Sequence, residues 1–470
     1  MVDPPRPRRR ADRRVATRAS AVLNPRTTAA ASTLALAFAA GACVARTLVA
    51  SAPPLARVGL AQPLPVVDTW GAFGGACFAI LAATIAIASV ALVVLLRSIA
   101  ADGTRVNGLG VCVVATIALA GAAVWPFVFS SDTYAYAAYG EMAARGFDPY
   151  VLAPLGARGL SIDAARVQWH GDFPVCVYGP AFVALARVIW SATHAWGAGA
   201  PIVALRALAA LAFLGSISLL DRALAGLEER SKSLVLCAYG LNPTMLWSVA
   251  EGHNDAFVLL AAALAAVVLR RGRTAVAGAI LGLSAAIKAP GAIFAAAFGL
   301  DALFARKDAR GAIGATVGLV LAAAISIPPL VPALGSVGSH GHYLPMVSLQ
   351  AFVGVGPGVA IAILLLVRGV ALACRGMREG FALLGIAIVA ALPNPYPWYA
   401  LWLAPLALAG APSSAATALY AVTILSVLRY LPDATGNMTV GERGLAALVA
   451  CVPLVVLFAA NTMKKANAPT

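Results

Sequence analysis

Residues 179–196 read GPAFVALARVIWSATHAW. Whether this apolar piece crosses a membrane decides the orientation of every segment after it. The chain that contains it has 470 residues, 61% hydrophobic and only 11% charged. Soluble domains carry about a quarter charged residues, so this much apolar surface has nowhere to hide in water. Many runs approach the roughly 20 apolar residues that one span needs, and the short alternating segments of a β-barrel do not occur. The sequence reads as an all-α polytopic integral membrane protein with about 12–14 transmembrane helices.

Candidate spans fall near 28–50, 72–97, 108–129, 201–220, 234–250, 255–270, 274–287, 291–305, 311–332, 349–368, 380–393, 397–411, 413–428 and 444–461. The basic residues lie between them: the N-terminal tail, Arg97 with Arg105, Arg222/Arg230/Lys232, Arg270/Arg271/Arg273, Arg306/Lys307/Arg310, Arg368/Arg375/Arg378 and Lys464/Lys465. If 179–196 does not cross, all of these fall on one side, which the positive-inside rule makes the cytoplasm. A crossing would put Arg270-Arg271-Gly272-Arg273 outside. The piece is also short and carries Arg187 and His194. It is therefore read as a juxtamembrane or re-entrant helix at the outer interface. The net charge of +15 then belongs to membrane topology, and no nucleic-acid partner is expected.

The resulting organisation has four parts. Residues 1–27 form a basic, disordered cytoplasmic tail, and 28–107 hold two N-terminal transmembrane helices. Residues 108–411 form the transmembrane core, with one large external loop over 130–200. Residues 412–470 supply C-terminal helices and a short cytoplasmic tail. Both termini are cytoplasmic in a multi-pass protein of the inner (plasma) membrane. The seven cysteines lie mostly inside apolar runs without CxxC spacing, which suits packing better than a zinc site or a disulfide framework.

Under this topology all five histidines (His170, His194, His253, His340 and His342) land on the external side. Asp132, Glu141, Asp148, Asp163, Asp172, Asn254, Asp255, Lys288 and Asn394 join them. Ionisable groups at a membrane are costly and usually functional or paired, so their convergence points to an extracytoplasmic site.

Ser130 and Ser131 suit a helix start, and Gly146 with Pro149 a stop, which predicts a short helix over 132–145. Its i, i+4, i+7 spacing puts Asp132, Tyr136 and Tyr139 on one face, and Glu141 on another. Two readings stand for that face. One is a capping aspartate with an interfacial tyrosine belt; the other is a general base beside sugar-stacking aromatics. His170 and Asp172, in QWHGDFPVCVYGP, make only a weak metal signal. Glu251, His253, Asn254 and Asp255 interrupt two apolar runs in EGHNDAF, more polar groups than one helix cap explains. Lys288, at the tip of a hairpin, either snorkels to head groups or meets a phosphate. GSVGSHGHYLP (335–345), with His342, reads as a ligand-covering lid or a flexible loop. Trp398 and Tyr399, in PNPYPWYALW, form an aromatic belt or a wall for an isoprenoid or sugar. Arg429 ends its span on the same side, able to grip phosphate oxygens. There is no Walker A, GxSxG or HExxH sequence and no evident nucleotide-sugar domain, so a transferred group would arrive through the membrane.

Several of these motifs, in this order, resemble one family. They are Asp132-Thr-Tyr-Ala-Tyr, Ala-Arg-Gly-Phe-Asp-Pro-Tyr150, Tyr178-Gly-Pro180, Glu251-Gly-His-Asn-Asp255, Leu281-Gly-Leu-Ser-Ala-Ala-Ile-Lys288 and Pro397-Trp-Tyr-Ala-Leu-Trp402. Together they are similar to the polyprenol-phosphate-mannose-dependent mannosyltransferases of the GT-C superfamily, in particular the bacterial alpha-1,6-mannosyltransferases of lipomannan assembly. The resemblance spans residues 108–405. It implies a polyprenyl-phosphate-sugar donor in the outer leaflet, a glycan or glycolipid acceptor and an external active site. An acidic residue of the first large external loop serves as base, which maps onto Asp132. Two spans precede that loop here where many superfamily members have one, which leaves residues 28–107 without an assigned role.

On this reading Asp132 takes the proton of the acceptor hydroxyl as it attacks the anomeric carbon. Lys288, His253 and Arg429 stabilise the charge on the departing phosphate. One base and one displacement imply inversion; a double displacement would need a second carboxylate, for which Asp255 is the nearest candidate. A divalent metal is compatible with the reaction and not required by it. The rival class is a multispanning lipid-linked-sugar flippase or transporter, which would be expected to show internal repeats and polar groups near the bilayer midplane.

Overall fold

The computed structural model describes residues 25–50, 71–123, 130–151, 156–169, 173–339 and 348–430. The expected basic tail before Pro25, the last expected span over 444–461, and His170, Asp172, His340 and His342 lie outside these. So does most of the lid expected over 335–345.

Among the described residues the regular elements are all helical. In order they are α1 (Pro25–Ala50), α2 (Gly71–Asp102), α3 (Gly108–Ala123), α4 (Asp132–Ala144), α5 (Leu160–Gln168), α6 (Pro180–Thr193), α7 (Ala200–Ala223), α8 (Glu229–Gly240) and α9 (Pro243–Ala250). They continue with α10 (Asp255–Arg270), α11 (Thr274–Ser284), α12 (Pro290–Leu300), α13 (Ala309–Ser339), α14 (Leu349–Val353), α15 (Val355–Cys374), α16 (Glu379–Ala391), α17 (Ala400–Ala409) and α18 (Ser414–Leu425). Five segments among the described residues are long and apolar enough to cross a bilayer: Pro25–Val44, Ala79–Asp102, Ala200–Ala223, Ala309–Pro332 and Val355–Cys374. The pair α8–α9 adds a sixth, bent by 45°. Shorter apolar helices fill the rest of the bundle. The chain is an all-α, multi-pass membrane protein.

Two expected spans are broken. The run 234–250 divides at Leu241-Asn242. Pro243 has no N–H to continue the helix and disfavours a helical conformation in the residue before it. Asn242 is accordingly extended, and its side-chain oxygen accepts from the amides of Thr244 and Met245, both at 3.1 Å, to start α9. Its amide group donates to Thr423 Oγ1 at 2.9 Å, tying the break to α18. The run 349–368 divides at Gly354, whose φ of 91° is open to glycine and strained for other residues.

The stretch 179–196 becomes α6, capped by a short 3-10 turn over His194–Trp196. Fourteen residues make about 21 Å of helix, short of a hydrocarbon core of about 30 Å. Phe182, Val183, Ala186 and Ile189 are buried at spacings that fall on one face. That face packs on α4. Helices α4, α5 and α6 share their own apolar cluster of Tyr134, Tyr136, Tyr139, Ile162 and Phe182, so the described parts of the expected external loop are folded around a core. The rest of the bundle packs around a second cluster that includes Leu34, Leu81, Phe213, Trp247 and Leu419.

Glu141 serves this packing. Its Oε2 accepts from the first-turn amides of α5, Ser161 at 2.8 Å and Ile162 at 3.0 Å, and its Oε1 pairs with Arg145 at 3.4 Å. Among the described residues Cys112, Cys176, Cys237 and Cys374 form no disulfide.

Candidate active site

The polar groups gather where helices begin or turn. Asp132 is the first residue of α4, where helix dipole and free amides favour a carboxylate. Its Oδ2 accepts from the Tyr178 hydroxyl at 3.2 Å and lies 3.9 Å from His253 Nδ1. The side chain is 17% exposed, enough for contact with a ligand. Burial lifts its carboxyl above the usual carboxylate range; the Lys288 charge and hydrogen bonds from Ser130 and Tyr178 pull it part of the way back.

His253 occupies the turn between α9 and α10. Its ring stacks on Trp398 at 4.6 Å, and its Nε2 lies 3.9 Å from Glu251 Oε2. Both 3.9 Å separations are about 1 Å longer than an N–H···O hydrogen bond, and Nδ1 has no hydrogen-bond partner among the described residues. Burial, aided by the Lys288 charge, holds this imidazole well below its usual pKa. His253 is therefore neutral near pH 7, and its expected role as a cation beside a phosphate is corrected. Glu251 is itself held: Trp247 Nε1 donates to its Oε1 at 3.0 Å, and Thr133, next to Asp132, donates to its backbone oxygen. Arg206 on α7 donates to the carbonyl of Ala250. Gly252 makes the turn at φ 88°, where an added Cβ would also press on Thr133 and Arg206.

Lys288 does not reach for head groups. Its Nζ pairs with Asp255 Oδ2 at 2.6 Å, and both side chains are buried. The other oxygen of Asp255 accepts from Trp402 Nε1. The ammonium also lies over the rings of Tyr178, at 5.2 Å, and Trp402, at 5.8 Å. The backbone brings these parts together. Gly179 N donates to Ile287 O at 3.0 Å and Ala181 N to Ala286 O at 3.1 Å. A Cβ on Gly179 would meet Ala286 O at 2.0 Å, so only glycine lets the loop after Tyr178 lie this close to the Lys288 turn.

The structure thus brings together Asp132, His253, Asp255 and Lys288, with Tyr136 and Asn254 just behind. Tyr136 and Tyr139 are fully buried, which corrects their expected role as sugar-stacking rings. The Tyr136 hydroxyl reaches Asn254 Oδ1 at 3.4 Å, and that of Tyr139 donates to Pro174 O at 2.7 Å. Asn254 stands at the N-cap of α10 without a side-chain capping bond, and its Nδ2 has no partner among the described residues. Trp398 links His253 to a longer ladder: Tyr396 stacks on it at 4.3 Å, and Arg429 lies 4.3 Å over Tyr396. Arg429 is thus linked to His253 through two rings. Tyr399 packs against Trp402 at 4.2 Å. Among the described residues no group of three or more His, Cys, Asp or Glu side chains is arranged to hold a metal ion.

Tyr178 and Glu251 belong to this cluster although neither was among the expected site residues. The motif Tyr178-Gly-Pro was the only signal for Tyr178, whereas Glu251 also stood out as one of the four polar residues that interrupt two apolar runs in EGHNDAF.

Fold and site together define a multispanning helical membrane protein with a mostly buried acid and imidazole cluster built at helix ends. Residues 27–303, more than half of the chain, match the family described as alpha-(1->6)-mannopyranosyltransferase, N-terminal domain, and the chain belongs to that family. One similar protein is alpha-(1->6)-mannopyranosyltransferase A of Mycobacterium tuberculosis (strain ATCC 25618 / H37Rv), 30% identical over 159 residues. The match covers 33% of this chain and 29% of that relative, so the chain spans less than a third of the relative's length. No solved structure matches the chain.

Proposed function

We propose that the protein transfers a mannosyl group from a polyprenyl-phosphate-mannose donor to a glycan or glycolipid acceptor. The reaction takes place on the extracytoplasmic face of the inner membrane, with Asp132 as general base. Family membership supports mannose and glycosyl transfer. The observation that carries the assignment of the base is the setting of Asp132: partly exposed at a helix N-terminus, held by Tyr178, and facing a neutral imidazole.

The acceptor O–H bond breaks as its proton passes to a carboxylate oxygen of Asp132. The acceptor oxygen forms the new bond to the anomeric carbon, and the bond from that carbon to the phosphate oxygen breaks, its electron pair leaving with the phosphate. Lys288 has three donors and Asp255 takes one, which leaves hydrogen-bonding capacity for the departing phosphate. Both oxygens of Asp255 are engaged, by Lys288 and Trp402. That leaves it poorly disposed to act as a nucleophile and favours single displacement with inversion. Neutral His253 has an imidazole nitrogen facing Asp132, and Glu251 on its other side would favour the tautomer whose proton sits on Nε2. In that form Nδ1 can accept from protonated Asp132 after a closure of about 1 Å.

The test is purified protein with radiolabelled polyprenyl-phosphate-mannose and candidate acceptors. Wild type forms product, and Asp132→Asn loses a hundredfold or more, within the range of about 10²–10⁴ for general bases, while keeping its thermal transition. Full activity in that variant removes Asp132 as base. Sugar movement across vesicles without a glycosidic product replaces transfer by transport.

A further inference from the structure

Away from Asp132, helices α1, α2, α3 and α8 enclose a separate cavity of about 560 Å³. That is within the range of about 300–1,000 Å³ typical of ligand pockets. Its walls are apolar, built from residues such as Ala31, Ala35, Leu95, Val114 and Leu241. On α3 the wall residues Leu109, Val113 and Ile117 are exposed on the outside of the bundle, so a hydrocarbon chain can enter sideways.

Its polar lining is specific. Thr27 is 2% exposed, yet its hydroxyl has no hydrogen-bond partner among the described residues; buried polar groups almost always have one. Arg105 lines the cavity as an exposed cation and makes no ion pair among the described residues. Asp221, whose side chain lies against the Cα of Gly108, is paired with Lys232, whose Nζ lies 2.6 Å from its Oδ1. Arg105 also belongs to the basic clusters that mark the expected cytoplasmic face.

We propose that this cavity binds one acidic phospholipid of the leaflet facing the basic clusters. Its phosphate sits on Arg105, the Thr27 hydroxyl donates to a phosphate or ester oxygen, and one acyl chain fills the apolar cleft. Free phosphate would leave that cleft empty. The arginine-rich residues before Pro25 would bring like charge to Arg105. The bound lipid fills the seam between the α1–α2 pair and the helices α3 and α8 of the core. That gives α1, α2 and the turn at Arg105 a role as half of a lipid site.

The test is native mass spectrometry of the delipidated full chain in neutral detergent, titrated with phosphatidylglycerol or phosphatidylcholine. One phosphatidylglycerol is retained, about fivefold more tightly than phosphatidylcholine, as one cation near a phosphate warrants. Arg105→Ala, at an exposed position, abolishes that preference, and Ala31→Trp, which fills the cleft, abolishes retention of both. Equal retention of the two lipids by wild type overturns the head-group contact, a comparison that needs no variant. Displacement by millimolar inorganic phosphate overturns the lipid assignment, and unchanged retention in Ala31→Trp overturns the site.

Discussion

Replacing Tyr178 by Phe isolates one interaction of the proposed base. The hydroxyl donates to Asp132 Oδ2 at 3.2 Å, while the ring packs edge-on against Tyr136 at 5.0 Å and Phe182 at 5.6 Å. Phe keeps the ring contacts and the surface under Lys288 and removes the hydroxyl, which donates to Asp132 and also meets the Tyr136 hydroxyl. Hydrogen bonds to a charged group contribute about 1.5–3 kcal/mol. This one is longer than the usual O–H···O range of about 2.5–3.0 Å, so the low end applies. One pKa unit corresponds to about 1.4 kcal/mol. The bond favours the ionised carboxylate, so its loss raises the Asp132 pKa by about one unit. That pKa is already lifted by burial. A base works only when deprotonated, so activity falls as pH drops through this value. The acid limb of kcat/KM against pH therefore moves up by about one unit in Tyr178→Phe. The rate on the plateau above it changes little. A superimposable acid limb in wild type and variant, with product formed at normal plateau rates, refutes the coupling of Tyr178 to Asp132.

Three further outcomes follow from the same geometry. Asp255→Ala strands the buried Lys288 ammonium and costs about 3–5 kcal/mol, read as a lowered thermal transition; Asp255→Leu combined with Lys288→Met restores most of it. Gly179→Val lowers the transition because its Cβ would overlap Ala286 O, whereas Gly226→Ala, with open space around its Cβ position, leaves it unchanged. A reporter active only outside the cytoplasm, fused after residue 160, is active, and activity of a cytoplasmic reporter there reverses the proposed sidedness.

The helical, membrane-spanning character was legible because it is a bulk property: composition and run length decide it wherever boundaries fall. The short helix from Asp132 and its end near Gly146 were legible too, since serines, glycine and proline act locally. What escaped was the break in 234–250. Hydropathy sums across Asn242-Pro243 without seeing that the proline removes a donor and that Asn242 can cap a new helix. The tight fold of 130–200 was only half visible. Its tyrosines read as an interfacial belt or as sugar-stacking rings, and burial by α5 and α6, which no local pattern encodes, made them part of a core instead.

The site divides along the same line. Asp132, His253, Asp255 and Lys288 stood out because ionisable groups interrupting apolar runs are conspicuous one at a time. Their pairing was not visible, because it depends on contacts between segments far apart in the chain, among them the approach of the loop after Tyr178 to the Lys288 turn that Gly179 permits. Once Asp255 and Lys288 pair, the charge inventory changes. Lys288 is no longer an isolated cation, His253 is kept neutral by burial, and Arg429 lies over Tyr396 at the far end of an aromatic ladder. The positive field that a list of basic residues suggests is therefore much smaller in the folded protein. In the proposed reaction, stabilisation of the departing phosphate then rests on the remaining Lys288 donors and on neutral groups with unused hydrogen-bonding capacity, such as Asn254 Nδ2. Preorganised dipoles suit such a site. They stabilise charge as it develops without the desolvation cost that a second unpaired cation would add before substrate arrives.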